Sequence, residues 1–250
     1  MILELIGEIW RRATSVQPTP PAALVALTAA LALGLVMSRV AWPYTRMLVT
    51  ITHEGGHAVA ALLAGRRLQG IRLHSDTSGL TVSSGRPSGP GMVVMLLAGY
   101  LAPAVVGLGA GALLIIGYSL GLLWLLVILL ALMLLRIRNF AGFWIIVVVA
   151  GGLVAVSWYA PAPAQAGVAY LVTWILLLSA PKPVLELLRS RRRGRAAQSD
   201  ADQLARLTRV PAELWAVLFL VVNCLGLMLG VALLLPAVVE MVLNLLPQTG

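Results

Sequence analysis

Thr52-His53-Glu54-Gly55-Gly56-His57-Ala58 lies inside an apolar run from about residue 44 to 64. The whole chain has three histidines and nine acidic residues, and three of those twelve groups fall within this one stretch. His53 and His57 stand four positions apart, so on a helix they share a face and both imidazoles can reach one metal ion. Glu54 lies beside them, placed to handle a water molecule rather than to ligate. A charged residue at mid-helix in a bilayer costs about 2.5–3.5 kcal/mol on insertion scales. Gly55 and Gly56 each cost about 1 kcal/mol of helix propensity relative to alanine. A bound metal would offset the first cost, and close approach of another backbone would account for the second.

Working outward, composition sets the environment. The 250 residues are 60% hydrophobic and 11% charged, with a mean hydropathy of +0.96. A soluble core of this size has no use for that much apolar surface, and continuous apolar runs of 18 or more residues point to membrane helices. The runs do not alternate, which argues against a barrel. The formal net charge of +9 reads as arginine-marked cytoplasmic loops rather than as a nucleic-acid surface. The single cysteine, Cys224, excludes an internal disulfide and a cysteine metal cluster.

The fold expected is an all-α polytopic membrane protein with about seven transmembrane helices. It forms a single domain over residues 1–250. An amphipathic, interfacial segment (1–20) comes first, with Ile2, Leu5, Ile6 and Ile9 as its apolar stripe. Spans follow at about residues 22–40, 44–64, 92–116, 119–135, 140–159, 166–180 and 214–235. After the motif helix, residues 70–83 alternate weakly around Asp76-Thr77-Ser78-Gly79, which reads as a small cytoplasmic β-hairpin. A basic cytoplasmic loop (189–210) contains Arg189 to Arg195, read as a topology and anionic-lipid anchor. Ser199 follows as a helix N-cap with Asp200 and Asp202 in the first turn. On alternating sides of seven spans, Arg39 and Arg46 fall alone on one face and the other sixteen basic residues on the other. That split predicts a cytoplasmic N-terminus, an external C-terminus and a motif helix running from outside to inside.

A catalytic zinc takes three protein ligands and keeps one position open. His53 and His57 supply two. Candidates for the third are His74 and Asp76 of the hairpin, Asp200 and Asp202, the helix-end acids Glu186, Glu213 and Glu240, and the N-terminal Glu4 and Glu8. Composition favours Asp200 or Asp202, and His74 and Asp76 read as exposed turn residues.

Four elements resemble one family, the site-2 protease class of intramembrane zinc metallopeptidases, in its bacterial, plant and fungal branch with a late aspartate. They are His53-Glu54-Gly55-Gly56-His57-Ala58, Ser78-Gly79-Leu80-Thr81, Ala98-Gly99-Tyr100-Leu101 through Gly107, and Ser199-Asp200-Ala201. Together they cover about residues 44–220. The resemblance implies Zn2+ as cofactor, His53, His57 and Asp200 as metal ligands, and Glu54 as the catalytic acid–base. It implies cleavage of membrane-embedded or membrane-proximal protein segments, with the lipid bilayer and a membrane protein substrate as partners, and a bacterial plasma membrane as location. Other branches take the third ligand from a D-G motif, where this chain reads Asn139-Phe140-Ala141-Gly142, and they use an asparagine on the helix after the hairpin, where this chain has none. Asn139 is thus a candidate weak ligand or substrate contact, and the oxyanion stabiliser has no candidate. The hairpin would hold an unwound substrate by strand addition. Two other classes fit parts of the pattern: an inactive scaffold that binds membrane helices, and a transporter, which would spread polar groups over several helices. The sequence leaves the oligomeric state open.

Overall fold

The computed structural model describes residues 2–193 and 198–236. The side chains of residues 2, 3, 5 and 6, much of the expected amphipathic stripe, fall outside the described set, as do Glu240 and Arg195. Among the described residues the order is α1 (Ile2–Ala13), α2 (Ala22–Met37), α3 (Trp42–Leu63), β1 (Arg67–Leu73), β2 (Gly79–Ser84), α4 (Pro90–Ile115) and α5 (Ser119–Leu134). Then come α6 (Phe140–Tyr159), α7 (Ala162–Ser179), α8 (Pro181–Arg192), α9 (Asp200–Thr208) and α10 (Ala212–Leu234). The protein is mostly helical, with one small two-stranded sheet.

Each of the seven expected spans forms a helix, but fewer are built to cross a bilayer alone. Four are long and apolar enough: α4, α6, the continuous α7–α8 and α10. Helix α5 has 16 residues, about 24 Å at 1.5 Å per residue, short of the roughly 30 Å hydrocarbon layer. Helices α2 and α3 qualify only as a pair, which makes five, and they meet at a bend of 100°. The motif helix is the reason for that joint result. His53, Glu54, His57 and Arg46 lower its apolarity, and the break at residues 38–41 turns it away from α2.

Helix packing revises the expected alternation. Leu24 packs near Gly167, and the Lys182 ammonium donates to the Val36 carbonyl. Helices α2 and α7 therefore run in the same direction, where alternation around seven spans would make them opposed. Arg46, expected on the face opposite Lys182, lies 3.4 Å from Glu186. Trp42 Nε1 donates to the same carboxylate at 2.8 Å, with Lys182 3.8 Å above the indole ring. The start of α3 is therefore clamped to α8. The far end of α3 packs at the start of α4, where a Cβ on Gly91 would stand 3.1 Å from Ala64. At the other end of α4, Gln17 bonds Gly117 at 2.8 Å, and Leu233 and Leu234 pack at Gly111. The start of the α2 segment and the end of α10, expected on opposite faces, thus lie at one end of the bundle. Counting apolar runs assumes that each run crosses, whereas length and composition give four crossings among the described helices, or five with α2 and α3 taken as one bent pair.

The sheet is short and well anchored. Strands β1 and β2 pair antiparallel from Arg67↔Ser84 to Leu73↔Gly79, with an irregularity between Leu68 and Gly70. The other edge of β1 is occupied by the α5–α6 connection. Ile71 N donates to Arg136 O at 2.8 Å and Arg138 N to Ile71 O at 2.9 Å. Asn139 completes this edge, donating Nδ2 to Leu73 O at 2.7 Å and accepting Leu73 N–H at 3.2 Å. Both functions of its amide are spent on backbone, so Asn139 acts as a strand clamp and not as the metal or substrate contact considered above. Thr50 of α3 donates to Thr77 O at 2.8 Å and ties the hairpin turn to the motif helix.

Candidate metal centre

The site begins with the register of α3. His53, Glu54 and His57 occupy adjoining positions on its face toward α4 and β2, and Glu54 and His57 are buried at 4% and 6% exposure. The helices approach closely because Gly56 has no side chain: a Cβ there would stand 2.5 Å from Ala102 Cβ and 2.8 Å from Ala98 O. Gly55, one residue earlier, faces open space. Close approach thus accounts for only one of the two glycines.

Helix α4 then shapes the imidazole pocket. His57 Nδ1 lies 2.7 Å from the Met95 carbonyl. Only the N–H tautomer can donate there, which leaves Nε2 as the free donor atom facing His53. The two Nε2 atoms are 3.0 Å apart. Gly99 makes room for both rings, since a Cβ at that position would stand 2.5 Å from His57 Cε1 and 2.7 Å from His53 Cε1. Tyr100 meets the His53 ring edge-on at 4.9 Å and stacks on Phe219 of α10 at 5.1 Å.

Asp200 reaches this pair from 143 residues away in sequence. Its Oδ2 lies 3.3 Å from His53 Nε2 and 3.2 Å from His57 Nε2. It is the first residue of α9, whose Ala201 and Leu204 are fully buried against Val184, Leu187 and Phe219. Burial opposes ionisation of Asp200, but the two imidazoles beside it outweigh burial and hold the carboxyl below the usual carboxylate range. The three ligand atoms lie within 4.8 Å of one another, the single such group among the described residues. Tetrahedral donors at zinc bond lengths stand about 3.3–3.5 Å apart. Two nitrogens and an oxygen at 3.0–3.3 Å match that donor set and nearly match its spacing.

The other candidates are engaged elsewhere. Asp202 accepts from Ser199 N at 2.9 Å and Ser199 Oγ at 2.7 Å, and Arg191 donates to its second oxygen. His74 and Asp76 are exposed on the hairpin, as expected. Glu186 pairs with Arg46, Glu213 with Arg191, and Glu8 with Arg12.

Glu54 is held by the hairpin, which residue patterns did not reveal. Thr81 Oγ1 of β2 lies 2.6 Å from Glu54 Oε2 and 3.1 Å from the Glu54 carbonyl. Gly79 lies flat against the carboxylate, and a Cβ there would stand 2.5 Å from Oε1. The sequence signal for this contact was the Gly-x-Thr spacing, which puts both residues on one face of a strand. Nothing in the sequence pointed to the Met95 carbonyl.

These features define a class: a helical, apolar protein with a His–His–Asp cluster beside a buried carboxylate. The family model described as Peptidase M50B-like matches residues 26–230. The chain belongs to that family, the site-2 protease family of metallopeptidases, and its apolar helices accord with an integral membrane protein. Comparison with curated proteins found no match, and comparison with solved structures found none either.

Proposed function

We propose that this protein is an intramembrane zinc endopeptidase, with His53, His57 and Asp200 as ligands and Glu54 as the proton carrier. The observation that carries the reading is the Asp200 carboxylate, brought from a distant helix to 3.2–3.3 Å from both imidazoles. A zinc ion held there supplies Lewis acidity toward a peptide carbonyl and makes water acidic enough to ionise near neutral pH. The chain's own groups do the rest. The Met95 carbonyl fixes the His57 tautomer. Glu54 takes a proton from water and passes it to the leaving amine, and Thr81 holds its carboxylate in orientation.

The substrate class follows from the hairpin. The second edge of β1 is taken by residues 136–139, so an extended substrate would add along β2. Gly79 and Thr81 lie against Glu54 there, and an added strand would pass close to the carboxylate. This favours an unwound segment of a membrane protein, because a helix hides its scissile carbonyl.

Six traverses of the bundle fit the packing best: α2, α4, α5, α6, α7–α8 and α10, with α3 lying oblique between them; the two 16-residue helices α2 and α5 cross only where the bilayer thins around them. Arg11 and Arg12 then stand at one end, and the other described basic residues at the end that carries the hairpin, α8 and α9. The positive-inside rule makes the second end cytoplasmic, and the start of α2 and the end of α10 external. Cysteine labelling from outside at residue 17 tests this. Protection of that position in intact cells, with labelling only after lysis, would sink the orientation.

Metal analysis of purified protein tests the chemistry. Wild type should carry about one zinc per chain, Glu54→Gln should keep it without cleaving, and Asp200→Ala should lose it. Zinc retained in Asp200→Ala refutes the third ligand, and no zinc in wild type refutes the whole reading.

A further inference from the structure

Asp200 sits at the N-terminus of a nine-residue helix that follows residues 194–197. A carboxylate placed there is useful as a ligand only if something outside the helix fixes its position. We infer that Arg191 is a positioning residue for Asp200, acting through a three-helix clasp. The inference rests on the reading of Asp200 as a metal ligand.

The clasp joins α8, α9 and α10. Arg191 Nη1 donates to Asp202 Oδ1. Its Nη2 and Nε donate to Glu213 Oε1 at 2.8 and 3.2 Å. The second Asp202 oxygen closes the reciprocal cap with Ser199 N and Oγ, so Asp200 lies between two restrained neighbours. At the far end of α9, Trp215 Nε1 donates to Thr208 Oγ1 at 3.1 Å. Below, Ala201 and Leu204 are fully buried. Short-helix backbone, clasp and apolar floor together leave the Asp200 side chain pointing at the histidines.

Arg191 stands apart from its neighbours. Its side chain is 15% exposed, whereas Arg189, Arg192 and Arg193 are exposed. The sequence grouped all of them as one lipid anchor, and Arg191 leaves that group. Its planar fork can hold two carboxylates from different helices at once, and a lysine ammonium has no such fork.

Outer-shell partners of metal ligands are worth about 10–100-fold in metal affinity. The test is zinc affinity, by chelator competition in detergent, for wild type, Arg191→Ala, Arg191→Lys, Glu213→Gln and Asp200→Ala. Cobalt absorption is read on the same proteins. Arg191→Ala should bind zinc about 10–100-fold more weakly and give a weaker cobalt band, while metal-free protein keeps its helical circular dichroism and elution volume. Arg191→Lys should recover part of the loss. Glu213→Gln, which weakens one arm only by removing its charge, should lose less in the same direction and serves if Arg191→Ala does not fold. Wild-type affinity and cobalt spectrum in both Arg191→Ala and Glu213→Gln, with metal lost in Asp200→Ala, overturn the clasp and leave the ligand reading standing. No metal in wild type, or metal kept in Asp200→Ala, overturns the ligand reading and the clasp with it.

Discussion

Replacing Thr81 with valine removes one hydroxyl and leaves shape, branching and strand preference nearly unchanged. The hydroxyl lies 2.6 Å from a carboxylate that is 4% exposed. Gly79, which also lies against that carboxylate, offers no side-chain donor. Losing a partner of a buried, charged acceptor costs about 1.5–3 kcal/mol. For a chain of this size, 1 kcal/mol corresponds to about 2–4 °C in melting temperature. Thr81→Val should therefore lower the melting temperature in detergent by about 3–12 °C, and Thr81→Ser should recover most of it. The cost should fall by about half when valine is introduced into Glu54→Gln, because a neutral acceptor forms a weaker bond. Thr81→Val melting with wild type, or an equal cost in both backgrounds, would refute the claim that the hairpin holds Glu54.

The two motif glycines should behave oppositely. Gly55→Ala should raise stability by up to about 1 kcal/mol through helix propensity, whereas Gly56→Ala should lower it by about 1–3 kcal/mol by forcing α3 off Ala98 and Ala102; paired thermal melts decide. Gly99→Ala should leave the fold assembled but displace both imidazoles, so bound zinc per chain should fall well below that of wild type. The hairpin turn should depend on pH. Hydrogen bonds from the Ser78 hydroxyl and backbone hold the Asp76 carboxyl below its ordinary range. A lowered folded value stabilises the turn above the ordinary carboxylate pKa, and that support is lost as pH falls through the folded value. The protection factor for amide exchange at the turn should therefore fall on acidification, and Asp76→Asn should abolish that dependence.

The two histidines and Glu54 were legible because their placement is local. A helix puts positions i and i+4 on one face wherever it lies, and the apolar flanks fix the surroundings. The cap at Ser199 and the hairpin at residues 70–83 were legible for the same reason. Asp200 was different: composition left it level with Asp202, and the family resemblance favoured it. Asn139 and Arg191 were misread because a polar side chain has the same letters whether it binds a metal, a lipid or a backbone carbonyl. Which it does depends on the element that packs over it.

The sequence by itself determined a helical membrane protein, the two-histidine face with its carboxylate and the family. Each follows from short-range periodicity, from apolar area or from local motifs. Only the tertiary structure decided the 100° bend between α2 and α3, the threonine that holds Glu54 and the arginine clasp that aims Asp200. Those depend on groups 11 to 147 positions apart meeting at atomic distance, and packing, not pattern, sets such distances.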